Sequence, residues 1–575
     1  MDTSAGSAAP RSSVGDSMLP TLRSTIRDAV RDAIRAQATA GRVPPLPEAE
    51  AAELDLERPA NPEHGDFATN AALRLARPLR MAPQAIAAAI VEGLTAGASR
   101  TDSPIERADV AGPGFVNIVV RGAAIDAVVS RVRANPEGWG RAAAGSAGRH
   151  VNVEFVSANP TGPLTVGNAR GAFVGDLLSR VLEAGGQEVT REYYFNDSGA
   201  QVRHLGASVL ALREGREVPE DGYRGEYVAE LAAALPLDLA APGDDAGEAR
   251  DWAIGRWASE RVRSGIEASL ARLGVRFDVW TTEGSLHRDG WVGQAIDRLR
   301  AGGHLYEQDG ALWFRSTSFG DDKDRVVIRS NGEPTYFAAD IGYVVEKFSR
   351  GFDHLIYVWG ADHHGTVARV RNAAEAMGFD KAAVEMLLTG WVRFVRDGVE
   401  LSMSKRAGTF ITLDELLEEL GVDAARWYFA SRGANVNMDI DIELAKRQSS
   451  ENPVYYVQYA HARIASILRK AAEAGLAPSD SRAGLADGPD ERRLALIVSR
   501  YPEVVADAAA AQETQSVTTF ATELATAFHA FYRDARVVDA AEPERSGRRL
   551  ALVDAARITL ASALGLLGIS APEAM

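Results

Sequence analysis

A strand, a glycine-containing loop and a helix follow one another from Val151 to Arg180, and together they could bind phosphate. Apolar and polar residues alternate at first, Gly162 and Pro163 then exclude regular structure, and apolar residues recur at helical spacing after Asn168. This arrangement directs free backbone N–H groups and the positive end of a helix dipole at one point. Thr165 and Asn168 stand there, and both side chains can donate hydrogen bonds to phosphate oxygens. The simpler role of Asn168 is as N-cap of the helix, which is compatible with a phosphate contact.

Lys405 could supply a mobile positive charge. It is one of only six lysines, although Lys and Arg together number 63, and the segment around it contains Gly398 and Gly408, which provide flexibility. A mobile cation can neutralise the negative charge that develops on a leaving phosphate group. The alternative is a solvated basic loop that precedes a helix with a capping box at Thr412–Glu415.

Tyr336 and Asp340 could form one wall of a site for a guanidinium group. Pro334 can open a helix, and the i,i+4 spacing then places the two residues on one face of it. A carboxylate binds a planar guanidinium through two parallel hydrogen bonds. On spacing alone, an ordinary carboxylate on a helix surface is the simpler interpretation of Asp340.

Asp362, His363 and His364 follow a predicted strand, and their residue types suggest a metal site at first. Adjacent histidines rarely reach the same ion, however, and no third cluster of ligands is apparent in the sequence. We therefore predict no structural metal.

Strands and helices alternate from His150 to about Phe394, which is typical of a parallel α/β sheet. After the first strand, Glu188–Asn196, Val326–Ile328 and His354–Trp359 are predicted strands, and Trp391–Val395 is the last. These strands must position the candidate residues, most of which stand at or just beyond their ends.

Composition limits the possible classes of protein. A length of 575 residues predicts about three or four domains, and 46% hydrophobic with 25% charged residues is ordinary for a soluble globular protein. The absence of cysteine excludes disulfides and thiolate metal sites, and no apolar run approaches the length of a membrane span. The net charge of −16 argues against non-specific nucleic-acid binding by the whole surface, but local basic patches remain compatible with it. We expect a cytoplasmic monomer that does not bind membranes.

Two segments resemble the ATP-binding motifs of class I aminoacyl-tRNA synthetases. Residues 157–170 resemble the first motif in the form found in arginyl-tRNA synthetases, but Thr165 and Asn168 stand where the class motif His-Ile-Gly-His has histidines. The segment Ser402-Met403-Ser404-Lys405-Arg406 resembles the second motif, Lys-Met-Ser-Lys-Ser, and retains its second lysine as Lys405. The loss of both histidines bears on the rate of the reaction more than on its nature, because the surrounding loop matches the family.

Segments at both ends of the chain resemble the same family. Gly65–Asn70 and Val110–Ile118 are similar to the N-terminal domain peculiar to arginyl-tRNA synthetases, which contacts the tRNA elbow. Asn452–Arg463 resembles the opening of their anticodon-binding bundle, and Ala563–Met575 matches its end. The three tyrosines near the start of this bundle more often pack in a core than stack on bases.

The predicted fold class is therefore multidomain α/β: a Rossmann-like parallel-sheet catalytic domain with an N-terminal α+β domain and a C-terminal all-α bundle. We predict a flexible N-terminus at 1–20, an N-terminal tRNA-contacting domain at 21–140 and a catalytic domain at 148–398 with a helical insertion at about 213–273. A mobile ATP loop and connecting stem at 399–450 and a helical anticodon-binding domain at 451–575 complete the prediction.

The resemblance implies an arginine–tRNA ligase. Such an enzyme activates L-arginine with ATP and Mg²⁺ to arginyl-adenylate and transfers the arginyl group to the 3′ end of tRNA(Arg), and it needs bound tRNA for activation. The implied catalytic residues are Lys405, Thr165 and Asn168. The residues that match the family's ATP site are Gly162, Pro163, Thr165, Gly167, Asn168, Asp362, His363, Met403, Ser404 and Lys405, and those that match its arginine site are Glu154, Ser157, Asn159, Glu283, Tyr336, Asp340 and His363.

Two other classes of protein remain open at this point. The missing histidines would suit a non-catalytic RNA-binding paralogue, although the retained Lys405 and the arginine-site residues argue against it. An adenylyltransferase acting on a small molecule would not need the helical region that begins at Asn452. Aminoacylation of total tRNA with each labelled amino acid would separate these classes.

Overall fold

The computed structural model describes residues 21–45, 54–98, 103–143, 148–240, 247–361, 364–396, 398–400, 412–479, 483–485 and 487–575. The segment 1–20, which the sequence predicts to be flexible, lies outside the described residues. So do five of the predicted site residues, namely Asp362, His363, Met403, Ser404 and Lys405.

The N-terminal region combines a three-stranded antiparallel sheet with helices, and its core includes the fully buried side chains of Phe67, Ile118 and Val120. Two of its helices cross closely at Gly93, which has no side chain. A Cβ atom at this position would lie only 2.9 Å from the Cβ of Ala33. The helices are Leu22–Thr39, Ala71–Leu79, Pro83–Ala98 and Gly122–Ala134, and the strands are Phe67–Thr69, Ile105–Ala111 and Phe115–Val120.

A parallel five-stranded sheet lies at the centre of the chain. Its middle strand is His150–Glu154, whose Val151 and Val153 are buried because helices cover both faces of such a sheet. Glu154 pairs with Tyr357 on one neighbouring strand and with Glu192 on the other, so the carboxyl ends of three strands meet at one edge. The strand order is Val384–Thr389, His354–Gly360, His150–Glu154, Glu188–Phe195 and Val279–Thr282, and the accompanying helices are Val166–Ala184, Glu283–Arg288, Trp291–Ala301, Tyr336–Ser349 and His364–Ala376.

The prediction that Val326–Ile328 belongs to the parallel sheet is wrong. The strand Arg325–Ile328 pairs antiparallel with Ala311–Phe314, which also pairs antiparallel with Leu305–Gln308 in a separate sheet. A parallel crossover needs a dozen or more residues, and the connection between Phe314 and Arg325 is shorter than that.

The prediction that Trp391–Val395 is the last strand of the parallel sheet is also wrong, and again the connection to it is too short for a parallel crossover. The strand spans Val392–Arg396 and pairs with Met438–Asp441 and Val399–Glu400 in another small sheet. Only Gly390 and Trp391 separate it from the edge strand of the large sheet, which leaves no room for a crossover helix.

The region between the parallel strands Glu188–Phe195 and Val279–Thr282 is helical, and the backbones of two of its helices are in contact. A Cβ on Gly206 would lie 1.9 Å from the carbonyl oxygen of Asp251, and one on Gly255 would lie 2.1 Å from that of Val202. The helices are Ala200–Arg213, Glu226–Ala234, Leu237–Ala240 and Glu248–Arg272.

A short stem and a helical bundle follow, and Arg426 joins them to the rest of the chain. Its buried guanidinium donates to the carboxylate of Asp176 over 2.7 Å and to the carbonyl oxygens of Leu273 and Leu567. No helix in the described part of the chain is long and apolar enough to cross a membrane. The stem helices are Leu413–Leu420, Val422–Ala430 and Ile442–Lys446, and the bundle helices are Pro453–Glu473, Pro489–Ser499, Tyr501–Ala511, Gln515–Asp534 and Pro543–Leu566.

Candidate active site

The chain bends sharply just after the middle strand of the parallel sheet. Val156 and Ser157 adopt φ angles of 67° and 38°, in the left-handed region that β-branched residues rarely enter. The Ser157 hydroxyl donates to Oε1 of Glu154 over 3.1 Å and accepts from the backbone N–H of Tyr194 over 3.1 Å. These bonds hold the start of the loop against the neighbouring strand and offset the strain of the bend.

The helix Val166–Ala184, hereafter the first-motif helix, begins with a reciprocal contact between Thr165 and Asn168. Thr165 is its N-cap and Asn168 is at position N3, so the prediction of Asn168 as N-cap is wrong. The backbone N–H and the hydroxyl of Thr165 both donate to Oδ1 of Asn168, over 3.1 Å and 3.0 Å. Since the amide oxygen accepts both bonds, the Nδ2 hydrogens of Asn168 are the part of this side chain that remains to meet an anion.

The start of the first-motif helix also touches the residue that follows segment 401–411. Thr412 forms a β-bridge with Thr165, and the N–H of Leu413 donates to the carbonyl oxygen of Leu164 over 2.9 Å. Thr412 and Glu415 form the capping box that the sequence predicts. Thr412, the first described residue after Lys405, therefore lies beside the loop that resembles the first ATP motif.

Three carboxylates gather at the carboxyl edge of the sheet: Glu154, Glu283 and Asp340. Glu154 accepts from Nζ of Lys347 over 2.7 Å, and Glu283 accepts from the hydroxyl of Tyr194 over 2.9 Å. Burial, together with the charges of Glu154 and Glu283, raises the pKa of Asp340 to about 7. Negative charge exceeds positive charge here, so the pocket suits a cationic ligand.

Asp340 and Tyr336 lie on the helix Tyr336–Ser349, hereafter the pocket helix. The helix begins at Tyr336, two residues after the predicted opening at Pro334, because the side chain of Thr335 caps it by accepting from the N–H of Ala338. Tyr336 is 61% exposed in its first turn, and Asp340 follows one turn later. Within the described residues Asp340 accepts no hydrogen bond, which leaves its carboxylate available to a guanidinium.

Lys347 belongs to this site, although it lies in no motif that marks it as a site residue. Its side chain is fully buried, and Nζ lies 4.1 Å and 4.0 Å from the ring centres of Tyr343 and Tyr357. Lys347 stands seven positions after Asp340, on the same side of the pocket helix. That helical spacing, in a chain with so few lysines, is the signal that could have found it.

Glu192 is a fourth buried carboxylate at this site, and it too lies outside the predicted site residues. Burial alone would raise its pKa, but the charges of Lys347 and Arg350 and the hydrogen bonds from Thr281 and Tyr343 lower the pKa below its usual range. Arg350 donates to it over 2.7 Å. Glu192 is therefore already neutralised within the protein, and it supports the pocket wall without adding net charge.

The remaining predicted residues of the loop also lie near this edge. Oδ1 of Asn159 accepts from Nε2 of Gln201 over 3.1 Å, and the ring of Tyr227 lies beside Gly162. Gly167 occupies the first turn of the first-motif helix. The loop thus brings its predicted phosphate contacts and the acidic pocket to the same end of the sheet.

A second surface of interest lies on the bundle. Tyr456 packs against the core, as expected for a tyrosine of this bundle, but Tyr459 does not. Tyr459 is 38% exposed, and its ring is stacked with Tyr455 and with His529, with ring centres 6.3 Å and 6.0 Å apart. The guanidinium of Arg463 lies over the rings of Tyr459 and Tyr532. Stacked aromatic rings beside an arginine are typical of surfaces that bind single-stranded nucleic acid.

Comparisons with known proteins agree over nearly the whole chain. Residues 21–120 match the family model "Arginyl tRNA synthetase N terminal domain", residues 137–218 and 249–463 match "tRNA synthetases class I (R), catalytic domain", and residues 457–575 match "DALR anticodon binding domain". The chain is 45% identical over 553 residues to an arginine–tRNA ligase of Moorella thermoacetica, covering 94% of this chain and 97% of that protein. It is 44% identical over 538 residues to one of Geobacter sp. strain M21, covering 92% of this chain and 96% of that protein. The solved arginyl-tRNA synthetase of Thermus thermophilus has a TM-score of 0.73 at 25% identity, covering 96% of this chain and 100% of the solved chain.

Proposed function

This chain belongs to the arginyl-tRNA synthetases, and we propose that it performs their reaction, the ATP-dependent ligation of L-arginine to tRNA(Arg), at the carboxyl edge of its parallel sheet. The observation that carries the proposal is the meeting of Glu154, Glu283 and Asp340 beside the loop that leads into the first-motif helix. A cation pocket and a candidate phosphate site are then neighbours, as the activation of arginine requires.

The charges of the pocket fit arginine. Three carboxylates gather here, and one of them, Glu154, is paired with the buried ammonium group of Lys347. Free arginine brings two cationic groups, its guanidinium and its α-ammonium. We assign Asp340 and Glu283 to the guanidinium, with Tyr336 beside them, and Glu154, Ser157 and Asn159 to the amino-acid end. Planar guanidinium groups bind carboxylates through paired hydrogen bonds, which a lysine ammonium cannot reproduce.

The first chemical step then joins the two sites. An oxygen of the arginine carboxylate attacks the α-phosphorus of ATP, the bond to the bridging oxygen of the β-phosphate breaks, and pyrophosphate leaves. Asn168 and the N-terminus of the first-motif helix provide hydrogen-bond donors for the phosphates, and Thr165 holds Asn168 in place. Lys405 is assigned the mobile charge on the leaving group, and Gly162, Pro163, Gly167, Met403 and Ser404 are assigned to the ATP site.

The second step transfers the arginyl group. A hydroxyl of the 3′-terminal ribose attacks the carbonyl carbon of arginyl-adenylate and loses its proton to solvent, and AMP leaves with the electron pair of the broken bond. We assign the anticodon end of the tRNA to the aromatic surface around Tyr459 and Arg463, where bases can stack. In this proposal the N-terminal domain and the C-terminal bundle both hold the tRNA, and this positioning contributes to the rate enhancement.

ATP enters as its Mg²⁺ complex in this proposal. No group of three or more His, Asp or Glu side chains in the described ranges is placed to hold a metal ion. Mg²⁺ commonly binds to substrate phosphates with several waters and few protein ligands, which fits this donor set. A cytoplasmic location and a monomeric state stay predictions.

Aminoacylation of total tRNA with each labelled amino acid tests the proposal. We expect stable, tRNA-bound label with arginine alone, and dependence of arginine-dependent ATP–pyrophosphate exchange on added tRNA. Failure to charge any tRNA would favour the non-catalytic RNA-binding paralogue, and transfer of AMP to a small molecule without tRNA would favour an adenylyltransferase.

A further inference from the structure

The hydroxyl of Tyr227 contacts the loop assigned to ATP. It donates a hydrogen bond to the carbonyl oxygen of Thr161 over 2.8 Å. Thr161 directly precedes Gly162 and Pro163, two residues assigned to the ATP site. The bond therefore fixes the orientation of the peptide group that leads into the candidate phosphate contacts.

Two glycines make this contact possible. A Cβ atom on Gly162 would lie 3.3 Å from both Cζ and Oη of Tyr227, which is tighter than ordinary packing. A Cβ atom on Gly225 would lie 3.4 Å from Cδ1 and Cε1 of the same ring, and Gly225 has a φ of +127°, which side-chain-bearing residues rarely adopt. The ring of Tyr227 thus packs between two glycines, Gly162 in the loop and Gly225 just before the helix that carries Tyr227.

Tyr227 belongs to a rigid support. It lies in the helix Glu226–Ala234, hereafter the insertion helix, whose Val228 and Leu231 are buried. The insertion helix packs on the helix Ala200–Arg213, which carries Gln201. Gln201 in turn donates to Asn159 over 3.1 Å, so two packed helices contact the same loop at two points.

The insertion helix lies in a part of the chain that the catalytic-domain family model leaves between its two matched stretches, residues 219–248, whereas the helix Ala200–Arg213 lies within the first matched stretch. We propose that the insertion helix positions the ATP-binding loop, with Tyr227 as the positioning residue that acts through the Thr161–Gly162 peptide. The proposal rests on the proposed function, because it needs ATP to bind at this loop. It gives the insertion a role in the first chemical step.

The effect of Tyr227 must then appear in ATP binding more than in arginine binding. A neutral hydrogen bond contributes enough to change an equilibrium by about 2- to 12-fold. Tyr227→Phe removes this one bond and keeps the ring between the glycines. We expect the variant to raise the KM for ATP by about 3- to 10-fold in aminoacylation, while the KM for arginine changes by less than about 2-fold.

Tyr223→Phe is the matched control. Tyr223 belongs to the same insertion and is similarly half-buried. Its backbone N–H donates to the hydroxyl of Ser208 over 2.9 Å, and within the described residues its own hydroxyl makes no hydrogen bond to the loop. We expect this control to leave both KM values within about 1.5-fold of the original chain, since no contact with the loop is lost.

A second variant distinguishes positioning from general support of the fold. Gln201→Ala removes the contact to Asn159, which is assigned to arginine, so we expect it to raise the KM for arginine more than that for ATP. A loss of fold would instead lower kcat and the thermal midpoint together in either variant. If a midpoint falls, the assays are repeated at a temperature at which every variant is fully folded.

The outcomes separate this inference from the proposed function. Arginine-dependent charging by the unaltered chain is measured first, and its absence would contradict the function itself. On an active enzyme, an unchanged KM for ATP in Tyr227→Phe, or equal effects on ATP and arginine, would overturn the positioning role. A selective rise in the KM for ATP that Tyr223→Phe does not share would support it.

Discussion

Nζ of Lys347 donates a hydrogen bond to Oε2 of Glu154 over 2.7 Å, and both side chains are withdrawn from solvent. Removing one partner of such a pair leaves an uncompensated buried charge, which costs about 3–5 kcal/mol of unfolding free energy. We therefore expect Lys347→Met to lower the free energy of unfolding in urea by an amount of this order. The double variant with Glu154→Gln should recover most of the loss, yet still bind arginine weakly. Equal stability of the single and double variants would show that the two side chains are not coupled.

Asp340 is expected to determine specificity for arginine without an editing site. Citrulline keeps the shape of arginine but is neutral, so it leaves the Asp340 carboxylate without a counter-charge, and a site built on such contacts can reject analogues by about 10⁴–10⁵-fold. Asp340→Asn should lose arginine activation severely and reduce the preference for arginine over citrulline. The measurement is kcat/KM for both compounds. If the variant activated arginine at a near-normal rate and kept its full preference for arginine over citrulline, Glu283 would be the residue that binds the guanidinium.

The KM for arginine should rise as the pH falls below neutrality. The pKa of Asp340 is raised to about 7 by burial and by Glu154 and Glu283, so this carboxyl is ionised above that pH and protonated below it in the free enzyme. Arginine needs the ionised form, while Lys347 already pairs with Glu154. From pH 8 to pH 6 we expect about a tenfold rise in the KM for arginine, and proton release when arginine binds near pH 7.

Asp340→Asn provides the control for this pH dependence, because an amide side chain does not titrate in this range. Equilibrium binding of labelled arginine to this variant should change much less between pH 8 and pH 6 than binding to the original chain. Calorimetry in two buffers of different ionisation enthalpy measures the released protons. A KM for arginine that stays flat between pH 6 and pH 8 would contradict an Asp340 pKa near 7.

Asn168→Asp separates the structural role of this side chain from its proposed role at phosphate. The aspartate oxygen can still accept both bonds from Thr165, and a negative charge near a helix N-terminus stabilises the helix by about 0.3–1 kcal/mol. We therefore expect unchanged or slightly higher stability. Adenylate formation should fall by about 10²-fold or more, because the charge repels phosphate and the Nδ2 donor is lost. Normal single-turnover activation would remove Asn168 from the ATP site.

Lys405→Ala is expected to slow adenylate formation by about 10²–10³-fold while arginine binding stays nearly unchanged. The reason is the loss of the positive charge that is proposed to balance the leaving pyrophosphate. Single-turnover activation in the presence of tRNA measures the first quantity, and equilibrium binding of labelled arginine measures the second. The nearby substitution Arg406→Ala is the matched control, with a smaller effect expected.

The sequence was sufficient for features that depend on local pattern. The strand that ends at Glu154 and the capping box at Thr412 follow from alternation and from residue types, and both are present. The role of Asn168 differed from expectation by one helical turn, because Thr165 and Asn168 are both good N-cap residues and only backbone geometry decides between them.

Long-range contacts could not be predicted in the same way. Lys347 becomes part of the pocket only because Glu154, Tyr343 and Tyr357 surround it, and two of these come from neighbouring strands. Likewise, the strand at Val392 has the pattern of a parallel strand, and it is the length of its connection that excludes it from the sheet.

Arg426 has a consequence for the order in which the chain folds during synthesis. Its guanidinium reaches back 250 residues to Asp176 and forward 141 residues to Leu567. Domains generally fold from the N-terminus as the ribosome releases them. Here, however, the helix that begins the ATP site can form its contact with Arg426 long before the carbonyl of Leu567 has left the ribosome. Until then this buried cation lacks one of its acceptors, so the catalytic region should become fully protected from proteases only after the last helix of the bundle has emerged.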